Sequence, residues 1–487
     1  MESSVGQPRD VAFAPRSTLR GDPSSPDERD MTRGALCFRR PPGSLQPSRP
    51  IGAGRMEHGD PVTTRLTAAV NGELAKDLAG VDEELARRYP GDDGSRQPVH
   101  TVYLPADRYT PDTPRDWGRA ALALLDQHAP DAAAFAAALH DEPREAAASE
   151  ELYARVRAKL ADEPVEDLRL DFEDGFAPRP DAEEDAVAAR VARQVAEADA
   201  AGTGPPFVGI RCQSLEAQVR DRAIRTLDIF LSTLLAHGPL PAGLRLTLPK
   251  VSDPRQVAAM VRLCEALEAA CGLPAGRLRF EIQIETAQAV VGPDGTATVA
   301  RLIEAAAGRA NGLHYGTFDY SAALGISAAH QAPDHPAADH AKAVMQVAAA
   351  GTGVRLSDGS TNVLPVGPNA QVRHAWRIHH RLVGRALARG YYQGWDMHPG
   401  HLPTRYAAVH AFYRAGFAPA AHRLAAYERG AEGEVLDEPA TARALAGFLL
   451  RGLACGALES TEVTERAGLT RERLHQLTAP RPTRGPR

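Results

Sequence analysis

The sequence predicts an α/β chain organised as a (β/α)8 TIM barrel with an inserted helical segment and a C-terminal helical extension. Three observations predict it. Short apolar, β-branched runs alternate with Ala-rich helical stretches from about residue 60 to 480, the signature of repeated strand–helix units on a parallel sheet. Eight such runs are present, the number that closes a barrel. Reactive polar side chains recur at the C-terminal ends of these runs, the face on which barrel active sites are built.

The runs, in order, are VHTVYLP (99–105), LRLDFE (168–173), FVGIRC (207–212), LRLTLPK (244–250), LRFEIQIE (278–285), GLHYGTF (312–318), GVRLSDG (353–359) and GWDMHP (394–399). Helical stretches such as AEEDAVAARVARQVAEADA and PRQVAAMVRLCEALEAACG separate them, the second followed by Leu273-Pro274 as a stop signal. The catalytic barrel is expected over residues 58–405. Residues 110–165 exceed an ordinary connection and read as one or two helices inserted over the barrel mouth, and residues 406–487 as a helical extension. Residues 1–57 are rich in Pro, Arg, Ser and Gly and follow neither the helical nor the strand period. They read as a disordered extension, with Met56 opening the ordered part.

Composition narrows the function. Charged residues make up 24% of the chain and the net charge is -6, so there is no global basic field for nucleic-acid phosphates. Five scattered cysteines (Cys37, Cys212, Cys264, Cys271, Cys455) form no CxxC pair, which argues against a disulfide framework or a zinc knuckle. There is no apolar run long enough to span a membrane and no secretory leader, so the expected compartment is the cytoplasm.

The chemistry gathers at strand ends. Asp171, Glu173 and Asp174 follow strand two, Arg211 strand three, Lys250 strand four, Glu285 strand five, Asp319 strand six and Asp358 strand seven; Asp396 and His398 lie in strand eight. Any one of these could be a helix cap or a turn residue; their joint occurrence on one face points to a site. Two carboxylates from different strands, with no His or Cys beside them, suit a hard cation, Mg2+ with Mn2+ as the alternative, rather than zinc. Such an ion would chelate a 2-keto acid and stabilise the enolate formed when a carbon–carbon bond breaks. Arg211 offers a planar fork for a carboxylate or oxyanion. The crowded acids of DFEDGF offer a base whose pKa its neighbours can tune.

These segments resemble the HpcH/HpaI aldolase and citrate lyase beta-subunit superfamily. LRLDFEDGF is similar to its DLEDAV-type segment, VGIRC to its VRVN strand, LTLPKV to its LPKV strand and IQIETAQAV to its ETxxG-type strand. HYGTFDYSAALGI is similar to its GxxDLxxxLG strand, and SDGSTNV and DMHPGHL to its closing DG and IHPxQ segments. Order and strand position are kept over roughly residues 99–405. The resemblance implies a phosphoenolpyruvate/pyruvate-type barrel that forms a homo-oligomer. It implies Mg2+ on Glu285 and Asp319, a substrate carboxylate on Arg211, and Glu173 and Asp174 beside the metal, with Asp174 the expected base. Arg108, Lys250 and His398 are the further expected substrate contacts. The expected activity is a Mg2+-dependent carbon–carbon lyase or aldolase acting on a small carboxylic acid.

Departures from the superfamily pattern bear on the substrate. VVGPDGTATVARL widens the gap between Glu285 and Asp319, VRVN has become IRCQ, and the 110–165 insertion is large. Of the region that contacts CoA phosphates in the thioester branch, only Asp107 and Arg108 of LPADRY persist, so a free 2-keto or dicarboxylic acid is expected and a CoA thioester is not favoured.

Competing readings are a phosphotransferase or mutase using phosphoenolpyruvate, with Lys250, Arg108 and Arg211 on the phosphate, and a barrel retained only for binding. No P-loop or Gly-rich nucleotide cradle is present. Residues 459–477 have helix-turn-helix spacing, but their mixed charge favours a structural helical hairpin over DNA binding. His379, His380 and Arg381 read as a solvated helix face, because adjacent helical residues diverge by about 100°.

Overall fold

The eight runs are eight strands of one parallel sheet: β1 (His100–Pro105), β2 (Asp167–Asp171), β3 (Phe207–Arg211), β4 (Leu244–Leu248), β5 (Phe280–Ile284), β6 (Ala310–Tyr315), β7 (Arg355–Ser357) and β8 (Gly394–Asp396). The computed structural model describes residues 68–140, 146–430 and 438–478. The extension expected over residues 1–57 lies outside them. Sequential strands pair in order, β1 also pairs with β8, and a parallel bridge from Ser357 to Gln393 joins β7 to the start of β8. The sheet therefore closes into a barrel with its helices outside.

Strand alternation explains why this sequence makes such a barrel. On β2, Leu168 and Leu170 are fully buried on the helix side, while Asp167, Arg169 and Asp171 point inward. The outward residues Leu168, Ile210, Leu246, Ile282 and Leu313 join the apolar faces of the surrounding helices in one core. The inward face is polar. Arg169 crosses the lumen to reach Thr247 on β4 and Glu281 on β5, and it is paired with Asp167. A Cβ at Gly209 would lie 1.8 Å from the Arg245 carbonyl oxygen and 3.1 Å from Arg169 Nη1. Glycine there leaves room for the guanidinium.

A second apolar core lies beside the barrel. The 110–165 insertion comprises three helices (Thr113–His128, Ala132–Leu139 and Ala146–Asp162), where one or two were expected over the mouth. They pack against the helices Asn369–Ala388 and Leu402–Glu428, burying Leu125, Phe135, Leu160, Trp376 and Tyr406 together, and Thr113–His128 also contacts the turn Pro399–His401 that follows β8. Their apolar faces are satisfied there. The helices Ser460–Ala467 and Arg471–Thr478 bury Val463, Ala467 and Leu474, and the turn between them Leu469, in the same core, and Arg473 of the second pairs with Glu428. The helix-turn-helix spacing thus belongs to a packed hairpin. Among the described residues no helix is long and apolar enough to cross a membrane.

Candidate active site at the barrel mouth

At the C-terminal end of β2, Asp171 acts as a fastener. Its two carboxylate oxygens accept Arg211 Nε at 2.7 Å and Nη2 at 2.8 Å, and the backbone N–H groups of Glu173 and Gly175 at 3.0 and 2.9 Å. One carboxylate therefore fixes both the guanidinium at the end of β3 and the turn that carries Glu173 and Asp174. The Nη1 edge of Arg211 faces away from Asp171, 3.0 Å from Glu173 Oε2 and 3.4 Å from Gln283 Oε1. The guanidinium carbon lies 4.8 Å from the ring centre of Tyr103 and 5.5 Å from that of Trp395, a cation–π platform that immobilises it.

Lys250, just past β4, has a φ of 52°, a left-handed conformation unfavourable for a residue with a Cβ. That bend aims its backbone N–H at Glu285 Oε1, 2.7 Å away. Its ammonium sits among four carboxylates: Nζ lies 2.7 Å from Asp319, 3.0 Å from Asp174, 3.5 Å from Glu173 and 4.0 Å from Glu285. Glu285 follows β5 and is buried. Asp319 stands half exposed in the first turn of the helix Thr317–Ala323. A Cβ at Gly316 would fall 2.4 Å from Glu285 Cβ, so glycine is what lets the end of β6 approach that carboxylate.

The electrostatics follow from crowding. Burial pushes the Glu173 carboxyl up to about 8, with Arg211 and Lys250 only partly opposing and Asp174 and Glu285 adding to the rise. Burial likewise raises Glu285 against the pull of Lys250 and Arg211. For Asp174 burial acts upward too, but Lys250 and Arg211 overcome it and hold the group below its ordinary value. The oxygen-only donor set suits a hard divalent cation. Glu173 Oε2 makes no hydrogen bond but lies 3.0 Å from Arg211 Nη1, so the fit to a divalent cation rests on the all-carboxylate donor set.

The structure thus gathers Glu173, Asp174, Arg211, Lys250, Glu285 and Asp319 in one cluster. It does not join Arg108 or His398 to them by a hydrogen bond or ion pair among the described residues. Arg108 lies exposed on the turn after β1, and His398 Nδ1 is occupied by the Gly400 N–H at 3.0 Å. Two strand-end acids are structural. Asp358 is locked to the buried Lys342 at 2.9 and 3.0 Å. Asp396 turns outward from β8 and accepts from Arg405, His100 and His379. His379 is accordingly buried, not on a solvated face, and stacks on His401 with ring centres 4.4 Å apart. This His–Asp–His group approaches metal-ligand spacing, but Arg405 already neutralises its carboxylate at 2.8 Å.

Sequence reading missed two residues at the mouth, Gln283 and Trp395. Both point inward beside Arg211 and both keep a buried N–H donor, Gln283 Nε2 and Trp395 Nε1, without a partner. The strand period could have found them, since Gln283 lies two residues before Glu285 and Trp395 is the inward neighbour of Asp396.

Comparison with solved structures returns three similarities of low identity. The chain is similar to the Mycobacterium tuberculosis protein CitE in complex with magnesium, acetoacetate and coenzyme A, at 18% identity and a TM-score of 0.43, covering 74% of this chain and 99% of that one. It is similar to the Haloferax volcanii malate synthase pyruvate/acetyl-CoA ternary complex at 16% identity and a TM-score of 0.39, covering 54% of this chain and 66%, just under two thirds, of that one. It is also similar to an HpcH/HpaI aldolase from Desulfitobacterium hafniense, at 16% identity and a TM-score of 0.34, covering 66% and 93%. No curated protein matches the chain. Residues 78–482 match the family described as a domain of unknown function, DUF6986, and the chain belongs to that family.

Proposed function

We propose that the barrel mouth is the active site of a Mg2+-dependent carbon–carbon lyase of the aldolase type, acting on a small 2-keto or dicarboxylic acid. The observation that carries this reading is the convergence of four carboxylates, from the ends of β2, β5 and β6, on one point where acid outnumbers base. Glu285 and Asp319 would hold the cation, with Glu173 and Asp174 beside it. A bound divalent ion supplies positive charge for the oxyanion that develops as the bond breaks.

This chain's own groups do the rest. Arg211, gripped from behind by Asp171, would offer its Nη1 edge to a substrate carboxylate in place of Glu173, which lies 3.0 Å from it. The unpartnered N–H groups of Gln283 and Trp395 extend that anion-binding edge. Glu173 is the group we place as proton carrier: buried, with its carboxyl near neutrality, it can hold a proton and release it at the same pH. Asp174, kept ionised by Lys250, serves as its charged neighbour.

The test is product analysis on the purified full-length chain. Candidate 2-keto-acid aldols are incubated with Mg2+ and no nucleotide, with the matching CoA thioesters as a second arm. Release of pyruvate, oxaloacetate or glyoxylate that stops in EDTA supports the lyase. Phosphate transfer from phosphoenolpyruvate without bond cleavage would establish the phosphotransferase reading in its place.

A further inference from the structure

The lysine at the centre of the acid ring calls for its own account. Of the 56 basic residues in the chain, four are lysines: Lys76, Lys159, Lys250 and Lys342. In a chain so committed to arginine, the ring holds the compact, strongly hydrated ammonium and not a planar guanidinium fork. Its nitrogen lies within 4.0 Å of Glu173, Asp174, Glu285 and Asp319 together, so it stands where a cation shared by those four carboxylates would stand. Mg2+ requires oxygen contacts of about 2.0–2.1 Å. The ring cannot contract to that distance around an ion while an ammonium occupies its centre.

We infer that Lys250 is a tethered counter-ion: its ammonium fills the cation position of the mouth until a divalent metal displaces it toward solvent and the substrate. The inference rests on the metal reading of the site given above. The two halves of Lys250 have separate tasks. The backbone N–H, held by the 52° φ, fixes Glu285 whether or not metal is bound, while the four-carbon stem lets the ammonium leave without moving that N–H. Because the competitor is covalently attached, metal affinity is set by how often the ring is free. An ammonium that holds the ring about nine-tenths of the time weakens apparent metal binding about ten-fold. Displacement also provides for order: the ammonium becomes available to an anionic substrate only after the metal has arrived.

Two measurements test this. Mn2+ binding to the full-length protein, followed by electron paramagnetic resonance, should tighten about ten-fold in Lys250→Met and in Lys250→Gln; thermal melting shows that each is folded, and two substitutes guard against one failing. In the wild type, amine acylation followed by peptide mass spectrometry should find Lys250 protected in metal-free protein and labelled several-fold faster with Mg2+, while Lys76, Lys159 and Lys342 keep their rates. Equal labelling of Lys250 with and without Mg2+, in a wild type that binds Mn2+, overturns the inference and leaves the metal reading standing. Binding by the Lys250 variants but not by the wild type would make the ammonium a permanent occupant, which overturns both its displacement by metal and the metal-dependent lyase. Absence of binding in all of them overturns both.

Discussion

Two charged clusters sit on the inner face of the same barrel, one toward the mouth and one a layer below it, and they meet the cost of burial in opposite ways. In the lower cluster, the fully buried Arg169 bonds Glu281 at 2.7 Å, is paired with Asp167, and donates to Thr247, while His314 contacts Glu281 at 3.3 Å. Burial raises Glu281, but Arg169 and His314 overcome it and carry the group well below its ordinary value. Asp167, sharing the same arginine, is left raised by burial. In the upper cluster Asp171, Glu173, Asp174, Glu285 and Asp319 face only Arg211 and Lys250. A cluster closed by its own cations is a structural fastening. One left with acid in excess has the chemistry of a site that receives a ligand.

The sharpest test of that contrast is at the mouth. Glu285→Gln and Asp319→Asn should each lower Mg2+-dependent turnover on the order of a thousand-fold, the several kcal/mol that a correctly held cation contributes. Their melting temperatures should stay level or rise, because each substitution removes a negative charge from an over-acidic ring. Unfolding of either variant at neutral pH would mean that the ring is a fastening like the cluster below it.

Below the mouth the expected effect falls on stability instead. Arg169→Met removes the cation that bonds both Asp167 and Glu281 and leaves them His314 and the more distant Arg245; breaking a buried pair in this way costs about 3–5 kcal/mol. Urea unfolding of the variant should show it. A loss under about 1 kcal/mol would show that water, not Arg169, balances those acids, and the distinction between the clusters would go.

How far the sequence disclosed this arrangement depends on which physical signal each residue carries. All eight strands were legible, because lumen-facing polar and helix-facing apolar residues alternate strictly along runs such as LRLDF and FEIQI. The ring was legible as strand-end residues, since β2 through β6 end in the same layer. Which side of the wall a strand-end side chain faces was not legible at β8, where pairing is three residues long and one step separates inward Trp395 from outward Asp396. His379 was misread because the sequence does not show that the helix carrying it is covered by Leu402–Glu428. Lys250 could be placed on the mouth, but not at the centre of four acids drawn from three strands. That is tertiary geometry with no local trace.

A gentler probe acts on the junction between β5 and β6. Gly316→Ala places a Cβ 2.4 Å from Glu285 Cβ, which forces that side chain or the strand end to shift. Overpacking of this kind costs about 1–3 kcal/mol, and the displaced carboxylate should weaken Mn2+ binding several-fold. Stability lost with metal affinity unchanged would show that Glu285 has slack in its position and that the glycine serves the fold alone.

The narrowest effect, confined to the pH dependence of stability, is expected at another buried acid, Glu268, at the base of the barrel. It accepts Arg309 at 2.7 and 2.8 Å and the backbone N–H groups of Leu278 and Gly276 at 2.7 and 3.1 Å. Burial would raise this carboxyl, but Arg309 and the two N–H donors more than offset it and hold it at about 2, against an ordinary 4.5. A depressed folded-state pKa means that the unfolded chain binds the proton first as acid is added. The stabilisation is therefore complete above about pH 4.5 and is lost as pH falls through 4.5 toward 2. Glu268→Gln should melt below the wild type at pH 7, and the gap should narrow between pH 5 and pH 3. A gap that stays constant across that range would assign the residue's contribution to packing, and would remove the carboxylate from the group of closed charge fastenings to which the lower cluster belongs.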